Sequence, residues 1–251
     1  MRVNMLPRRF FNFRLKTTDI LQSYLNFLGS FVFMGLRVSL FCCVLLMNLV
    51  VLGQDRPVIV QRPITWNAER ETLSIAYLTD RHGLDSRRAE ITPKIIVVHW
   101  TDVLSVDKTF KTFDPVQLPA RPNLQKASML NVSSQFLIGR DGTIFQLLPE
   151  TTFARHTIGL NYCAIGIENV GSARRPLTEE QLSANTALIK YLMAKYPINY
   201  VIGHHEYQSF KPTSWWKETD PTYITHKDDP GASFMMRLRK ALGLHEQLSL
   251  R

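Results

Sequence analysis

The apolar positions of this chain fall into short unbroken runs, alternating stretches and helical spacings, and their order predicts its architecture. Residues 95–99, "IIVVH", are a continuous run of branched apolar side chains, the pattern of a strand buried on both faces, and the run ends in a histidine. "SSQFLIGRDGTIFQLLPE", 133–150, alternates apolar and polar positions on both sides of Asp141-Gly142, a strong hairpin signal that predicts two antiparallel strands. "CAIGIENVG", 163–171, is another short apolar strand, interrupted by Glu168 where a fully covered strand would not be expected to carry a charge. Thr178 opens a helix with Gln181 as its capping-box partner, and Leu182, Leu188, Ile189 and Leu192 keep helical spacing toward Tyr196. "YVIGHHEY", 200–207, reads as a strand running into two histidines, and Ser233 to Leu244 as an amphipathic helix. Strands and helices alternate in this way in an α/β protein, and the expectation is a single domain with a central mixed β-sheet flanked by helices.

Two regions lack these periods. Gln54 to Pro93 mixes prolines and charges with few periodic apolar positions, which predicts a linker or N-terminal extension (54–92) with one helix near Asp80 to Arg88, ahead of a catalytic domain over 93–251. Asp102 to Val132, with Pro115, Pro119 and Pro122, reads as a long loop, and such loops usually border a site.

The N-terminal region, 1–53, has its own pattern. Val38 to Gly53 is an apolar run behind Arg37, short for a membrane span and suited to the core of a signal peptide, with small residues before Gln54 for cleavage. Met34 begins a segment that is by itself a complete short signal peptide, so Met34 is a candidate true start. The rival expectation is membrane anchorage, because Phe27 to Gly53 carries Arg37 as its only charge. Either way the protein is expected to be exported, to the periplasm or outside the cell.

Charge then changes the picture less than the total implies. The formal net charge is +9, but residues 1–54 hold six Lys and Arg against one acid, so the remainder carries only +4. That balance, with an export signal, argues against a nucleic-acid partner and suits an anionic polymer such as cell wall. Of three cysteines, Cys42 and Cys43 lie in the leader and leave Cys163 alone, so no disulfide framework is expected.

Candidate chemistry gathers where the strands end. His99 closes the first apolar strand, His204 follows "YVIG", and "THKDDPGASF", 225–234, crowds charges before the last helix. Two histidines and a carboxylate match a catalytic zinc site, which keeps a fourth position open for water, and His99, His204 and Asp229 form the candidate set at the strand ends. Spacing alone leaves that set open, since any α/β protein has histidines near strand ends. Adjacent residues of an extended chain face opposite ways, so His204 and His205 are not expected to share one metal. Asp228 reads as a solvated or capping acid and His226 as a surface histidine.

"IIVVHWT", "SSQFLIGRDGTIFQLLPE", "ARHTIGLN", "CAIGIENVG", "LTEEQLSANTALIKYL", "VIGHHE" and "KDDPGASF" occur in the order found in type-2 N-acetylmuramoyl-L-alanine amidases, whose superfamily also contains peptidoglycan recognition proteins. The chain resembles that family over roughly 93–243, with His82 and His245 outside the similar region. The resemblance implies one Zn2+ held by His99, His204 and Asp229, with Glu168 and Lys227 as the catalytic groups. It implies hydrolysis of the amide between N-acetylmuramic acid and L-alanine, with peptidoglycan or its muropeptide fragments as substrate. Glu168 would accept the proton of the attacking water and Lys227 would stabilise the oxyanion. His156 matches a histidine beside the substrate in relatives, and is either a substrate contact or a structural histidine. Arg155 and Gln135 depart from the family, which has tryptophan and histidine at these places in many members, and this bears on the glycan-binding surface. Trp215 and Trp216 are candidates for stacking on sugar rings. The alternative is a peptidoglycan-binding module without activity, in which the third metal ligand is typically replaced.

Overall fold

A computed structural model describes residues 56–119 and 122–244. The chain divides into two units, Met1–Gln54 and Asp55–Arg251. The leader, its cleavage, the Met34 start and any anchor therefore lie outside the described residues. No described helix is long and apolar enough to cross a membrane.

Six strands form one sheet: β1 (Ile59–Gln61), β2 (Ile95–Trp100), β3 (Phe136–Ile138), β4 (Ile144–Gln146), β5 (Ala164–Asn169) and β6 (Tyr200–Gly203), in the order β1-β4-β3-β5-β2-β6. Only β3 and β4 pair antiparallel, across the hairpin at Asp141-Gly142; every other neighbour pair is parallel. The expected mixed α/β sheet is thus observed. β2 and β5 are its longest strands, with β6 at the edge beside β2, and Ile95 to Val98 are wholly buried because helices cover one face and folded loops the other.

Side-chain alternation divides the core. Ile96 and Val98 of β2 and Ile165 and Ile167 of β5 face a layer built with Leu188, Ile189 and Leu192 of the helix Glu179–Lys195 and with Phe234, Met235 and Leu238 of the helix Ala232–Leu242. Ile95, Val97 and Ala164 face the other way, toward Leu160, Tyr207 and Phe210. Because side chains alternate, His99 and Glu168 belong to this second face. The helix from Glu179 starts as expected: Thr178 accepts from the Gln181 N–H at 3.1 Å and Gln181 accepts from the Thr178 N–H at 3.0 Å.

Two expectations are corrected. The segment 54–92, expected as a linker or N-terminal extension, does not behave as a linker over its described residues. It contributes β1, parallel to β4, and a helix, α1 (Ala68–His82), that begins at the Asn67 cap and ends at Gly83, not at Asp80–Arg88. Burial of Arg70, Ser74, Tyr77 and Leu78 decides this, and the polar Arg70 and Ser74 hid the apolar face of α1 from a hydrophobic reading. The stretch 102–132 is likewise not a bare loop. It holds α2 (Val106–Phe113), capped by Ser105, and the single turn α3 (Pro122–Gln125). Asn131 lies buried beneath α2 and donates Nδ2–H to the carbonyls of Thr112 and Pro115.

Candidate active site

The sheet register assembles the site. His99 is paired directly with Glu168 on β5, and Val98 is paired with Gly203 on β6, so His204, the next residue, arrives beside His99 from the other side. Three segments distant in sequence thus deliver an acid and two imidazoles to one level at the carboxyl ends of parallel strands, where ligand sites of open α/β sheets lie. After Gly203 the chain turns into a 3-10 helix, His204–Phe210, and does not continue as a strand. The separation of His204 from His205 follows from that helix, whose successive side chains diverge by about 120°. His205 turns away to hold the Asp229 carbonyl, toward which its N–H lies at 2.9 Å and its Nδ1 at 3.0 Å.

His99 Nδ1 lies 2.9 Å from His204 Nδ1, and Asp229 Oδ2 lies 3.2 Å from the first and 3.1 Å from the second. All three residues are buried, and no other group of three such side chains converges among the described residues. A tetrahedral zinc with bonds of about 2.0–2.1 Å sets its ligand atoms roughly 3.3 Å apart, so the spacing and the two-nitrogen, one-oxygen donor set fit that ion.

The imidazoles are held in the form a metal requires. The Ala164 carbonyl lies 3.2 Å from His156 Nε2, which places the proton on that nitrogen and leaves His156 Nδ1 an acceptor. His99 Nε2–H then donates to His156 Nδ1 at 3.1 Å, leaving the His99 Nδ1 lone pair facing the cluster. Burial, reinforced by the neighbouring His99, pulls the His204 pKa down to about 4 and outweighs the Asp229 carboxylate. Burial alone would push the Asp229 carboxyl up, but the adjoining imidazoles of His204 and His99 hold it well below the usual range, so it is an anion.

His156 is fixed on every side. Its N–H donates to Asn161 Oδ1 at 2.9 Å, its Nδ1 also meets Thr157 Oγ1 at 2.9 Å, and its ring lies on Gly166. A Cβ at residue 166 would stand 2.8 Å from that ring, so "IGIE" requires glycine two residues before the glutamate on the same sheet face. The expected substrate histidine does line the cleft, yet both ring nitrogens are engaged by protein.

Glu168 lines the same cleft of about 540 Å³, and its Oε2 is buried without a hydrogen-bond partner among the described residues. Burial, with the Asp229 charge added, raises its pKa well above the ordinary carboxylate value, while Lys227 opposes the shift. Lys227, His226 and Asp228 line the same cleft, and His226 Nε2 lies 2.9 Å from Asp228 Oδ1 in an exposed pair. The structure therefore brings together every expected site residue: His99, His156, Glu168, His204, Lys227 and Asp229.

Both departures from the family pattern have structural partners. Gln135 is buried, accepting the Gly166 N–H at 2.7 Å and donating to the Thr152 carbonyl at 2.8 Å. Arg155 is also buried. It donates to the carbonyls of Ser128, Leu130 and Leu124 and to the Tyr223 hydroxyl, and stacks over Tyr77, tying the 122–132 wall to the 223 loop. Trp215 and Trp216 are half-buried and do not line this cleft: they pack against the core face with Tyr200, Tyr207 and Phe210, and Trp216 lies against Gly159. Sequence reading named His205 and Arg155 without these bonding roles and passed over Asn161. Only their adjacency to His204, to "ARHTIG" and to His156 could have pointed to them.

Comparison with known proteins gives the family of the chain. The N-acetylmuramoyl-L-alanine amidase family model matches residues 75–232, starting upstream of the region of resemblance and including His82. The 1,6-anhydro-N-acetylmuramyl-L-alanine amidase AmpD of Salmonella typhimurium is 32% identical over 133 residues, covering 45% of this chain and 67% of AmpD. The endolysin of Escherichia phage T7 is 29% identical over 102 residues, covering 36% of this chain and 68% of the endolysin. Among solved structures, the N-acetylmuramoyl-L-alanine amidase LysC from Clostridium intestinale URNW aligns with a TM-score of 0.47 at 21% identity, over 75% of this chain and 99% of LysC. With well over half of its residues matched by that model, this chain belongs to the N-acetylmuramoyl-L-alanine amidase family of enzymes.

Proposed function

We propose that the protein is a zinc amidase that cleaves the amide between N-acetylmuramic acid and L-alanine in peptidoglycan or its fragments. The observation that carries this reading is the convergence of His99 Nδ1, His204 Nδ1 and Asp229 Oδ2, with Glu168 and Lys227 on the same cleft. When bound there, zinc would supply Lewis acidity, making water a nucleophile near neutral pH and polarising a carbonyl. His99 and His204 would hold the ion as neutral imidazoles and Asp229 as an anion, with His156 and His205 orienting His99 and Asp229 from behind.

Glu168 is the general base. A carboxylate on the sheet face beside the cluster, with one oxygen unengaged, is placed to take a proton from attacking water and return it to the leaving amine of L-alanine. Its raised pKa suits that task, since a carboxylate of higher pKa is the stronger base toward water and keeps the proton until the more basic amine takes it. Lys227 supplies positive charge beside Glu168 and is the group to stabilise the oxyanion of the tetrahedral intermediate. We assign the activity to the cell envelope, in keeping with the apolar leader segment.

The test is digestion of purified muropeptides with the zinc-loaded protein, followed by mass spectrometry. Release of free peptide with L-alanine at its amino end is expected, with activity lost on chelation and restored by zinc. Binding of muropeptide without cleavage, at full zinc occupancy, would replace this reading with that of a peptidoglycan-binding module.

A further inference from the structure

Asp102 occupies a backbone conformation that side chains rarely adopt. Its φ is 53°, and it is the one residue other than glycine with positive φ among the described residues. Aspartate tolerates this region chiefly when its carboxylate bonds nearby main chain. Here the turn is held without it. The Asp102 N–H donates to the Gly171 carbonyl at 2.9 Å, Thr101 Oγ1 to the Val103 carbonyl at 2.5 Å, and the Val103 N–H to Thr101 Oγ1 at 3.2 Å. The carboxylate has no hydrogen bond or ion pair among the described residues, and Asp102 is exposed on the cleft that also contains His99 and Glu168. Glycine would fit the turn with less strain, so the carboxylate is the feature left to explain.

The other acids of the cleft have partners. Asp229 is bonded to two histidines, Glu168 lies in the field of Lys227, and Asp228 pairs with His226. Asp102 is the acid there without a counter-charge among the described residues. It follows His99 by three positions, so the two Cα atoms are at most about 11 Å apart. A peptide leading away from the scissile bond covers that span in about three residues. In peptidoglycan stem peptides that is where a diamino acid brings a primary amine.

We propose that Asp102 is a specificity residue that binds the side-chain ammonium group of the stem peptide's diamino acid. The inference rests on the amidase reading, and its test separates the two. Steady-state kinetics are measured on one muropeptide in two forms, with the side-chain amine free or acetylated, for the wild type, Asp102→Asn and Asp102→Gly. For an exposed charge pair, acetylation is expected to raise the wild-type KM about three- to fivefold with little change in kcat, an effect that shrinks in high salt. Both variants should show that higher KM on the free amine and match the wild type on the acetylated peptide. Asp102→Gly should also keep or raise Tm, so lost affinity is separable from lost folding. Equal KM for the two peptides in the wild type, or an equal rise on both in the variants, overturns the assignment while leaving the amidase reading intact. Wild-type failure to cleave either peptide overturns both.

Discussion

His156 and Glu168 share a sheet face, lie in the same cleft and differ in what they touch. His156 bonds His99 and the Ala164 carbonyl, so in the proposed mechanism its work is to set the tautomer of an imidazole that would hold the metal. Glu168 carries an unengaged oxygen, so in the proposed mechanism its work is proton transfer. The two substitutions should therefore separate. Glu168→Gln is expected to retain zinc and lose roughly 100-fold or more in kcat, as positioned acid-base groups contribute. His156→Ala is expected to weaken zinc about 10- to 100-fold, as removal of a partner behind a ligand does, with activity largely recovered in excess zinc. Zinc titration against a competing chelator, alongside kcat at saturating zinc, distinguishes them; an unchanged zinc affinity in His156→Ala would return that residue to substrate contact.

Among the elements, α1 shows how a segment partly upstream of the family match serves the site. Arg70, buried on α1, donates Nη2 to the carbonyls of Phe113, Asp114 and Pro115 at 3.0, 2.8 and 2.7 Å, tying down the last turn of α2 and the residues after it. Thr109, Thr112 and Phe113 of that helix line the cleft, so the wall hangs in part from a side chain at residue 70. Replacing Arg70 with Met strips a charged donor from the buried Phe113 carbonyl and from two half-buried bonds beside it, and is expected to destabilise the domain by about 2–3 kcal/mol. Urea unfolding measures this, with a fall in the denaturation midpoint at unchanged m-value as the expected sign. A variant as stable as the wild type would make α1 an accessory. The polar face of α1 explains why the segment reads as a linker: its anchor to the cleft wall is an arginine, and hydrophobic periodicity cannot register one.

Across the folded domain, His82 links acid stability to the packing of α1 on the 213–223 loop. It is buried among Tyr77, Phe153 and Tyr162, with Nδ1–H donated to the Lys217 carbonyl at 2.5 Å. Burial outweighs that bond and pulls its pKa from 6.5 down to about 4. Between these values the unfolded chain takes up a proton that the folded one refuses. The stability contributed by neutral His82 is therefore complete above pH 6.5 and is lost as pH falls toward 4, by up to about 3 kcal/mol. Unfolding of the metal-free protein at pH 7.5 and 4.5 should show a smaller difference for His82→Gln than for the wild type. An equal difference would assign the acid sensitivity elsewhere.

Periodicity alone identified the strands at 95–99 and 163–171, the hairpin at Asp141-Gly142 and the Thr178-capped helix, because each is encoded by neighbours a few residues apart. The site residues were named from motifs, but their meeting was not encoded locally: His99 and Asp229 are 130 positions apart. Only the parallel register of β5, β2 and β6, set by burial of both sheet faces, brought Glu168, His99 and His204 to one level. Tertiary packing also decided that Trp215 and Trp216 lean against the core and that Arg155 and Gln135 bond main chain. Hydrophobicity and spacing report what a residue prefers; which partner it meets depends on contacts closed across the whole chain.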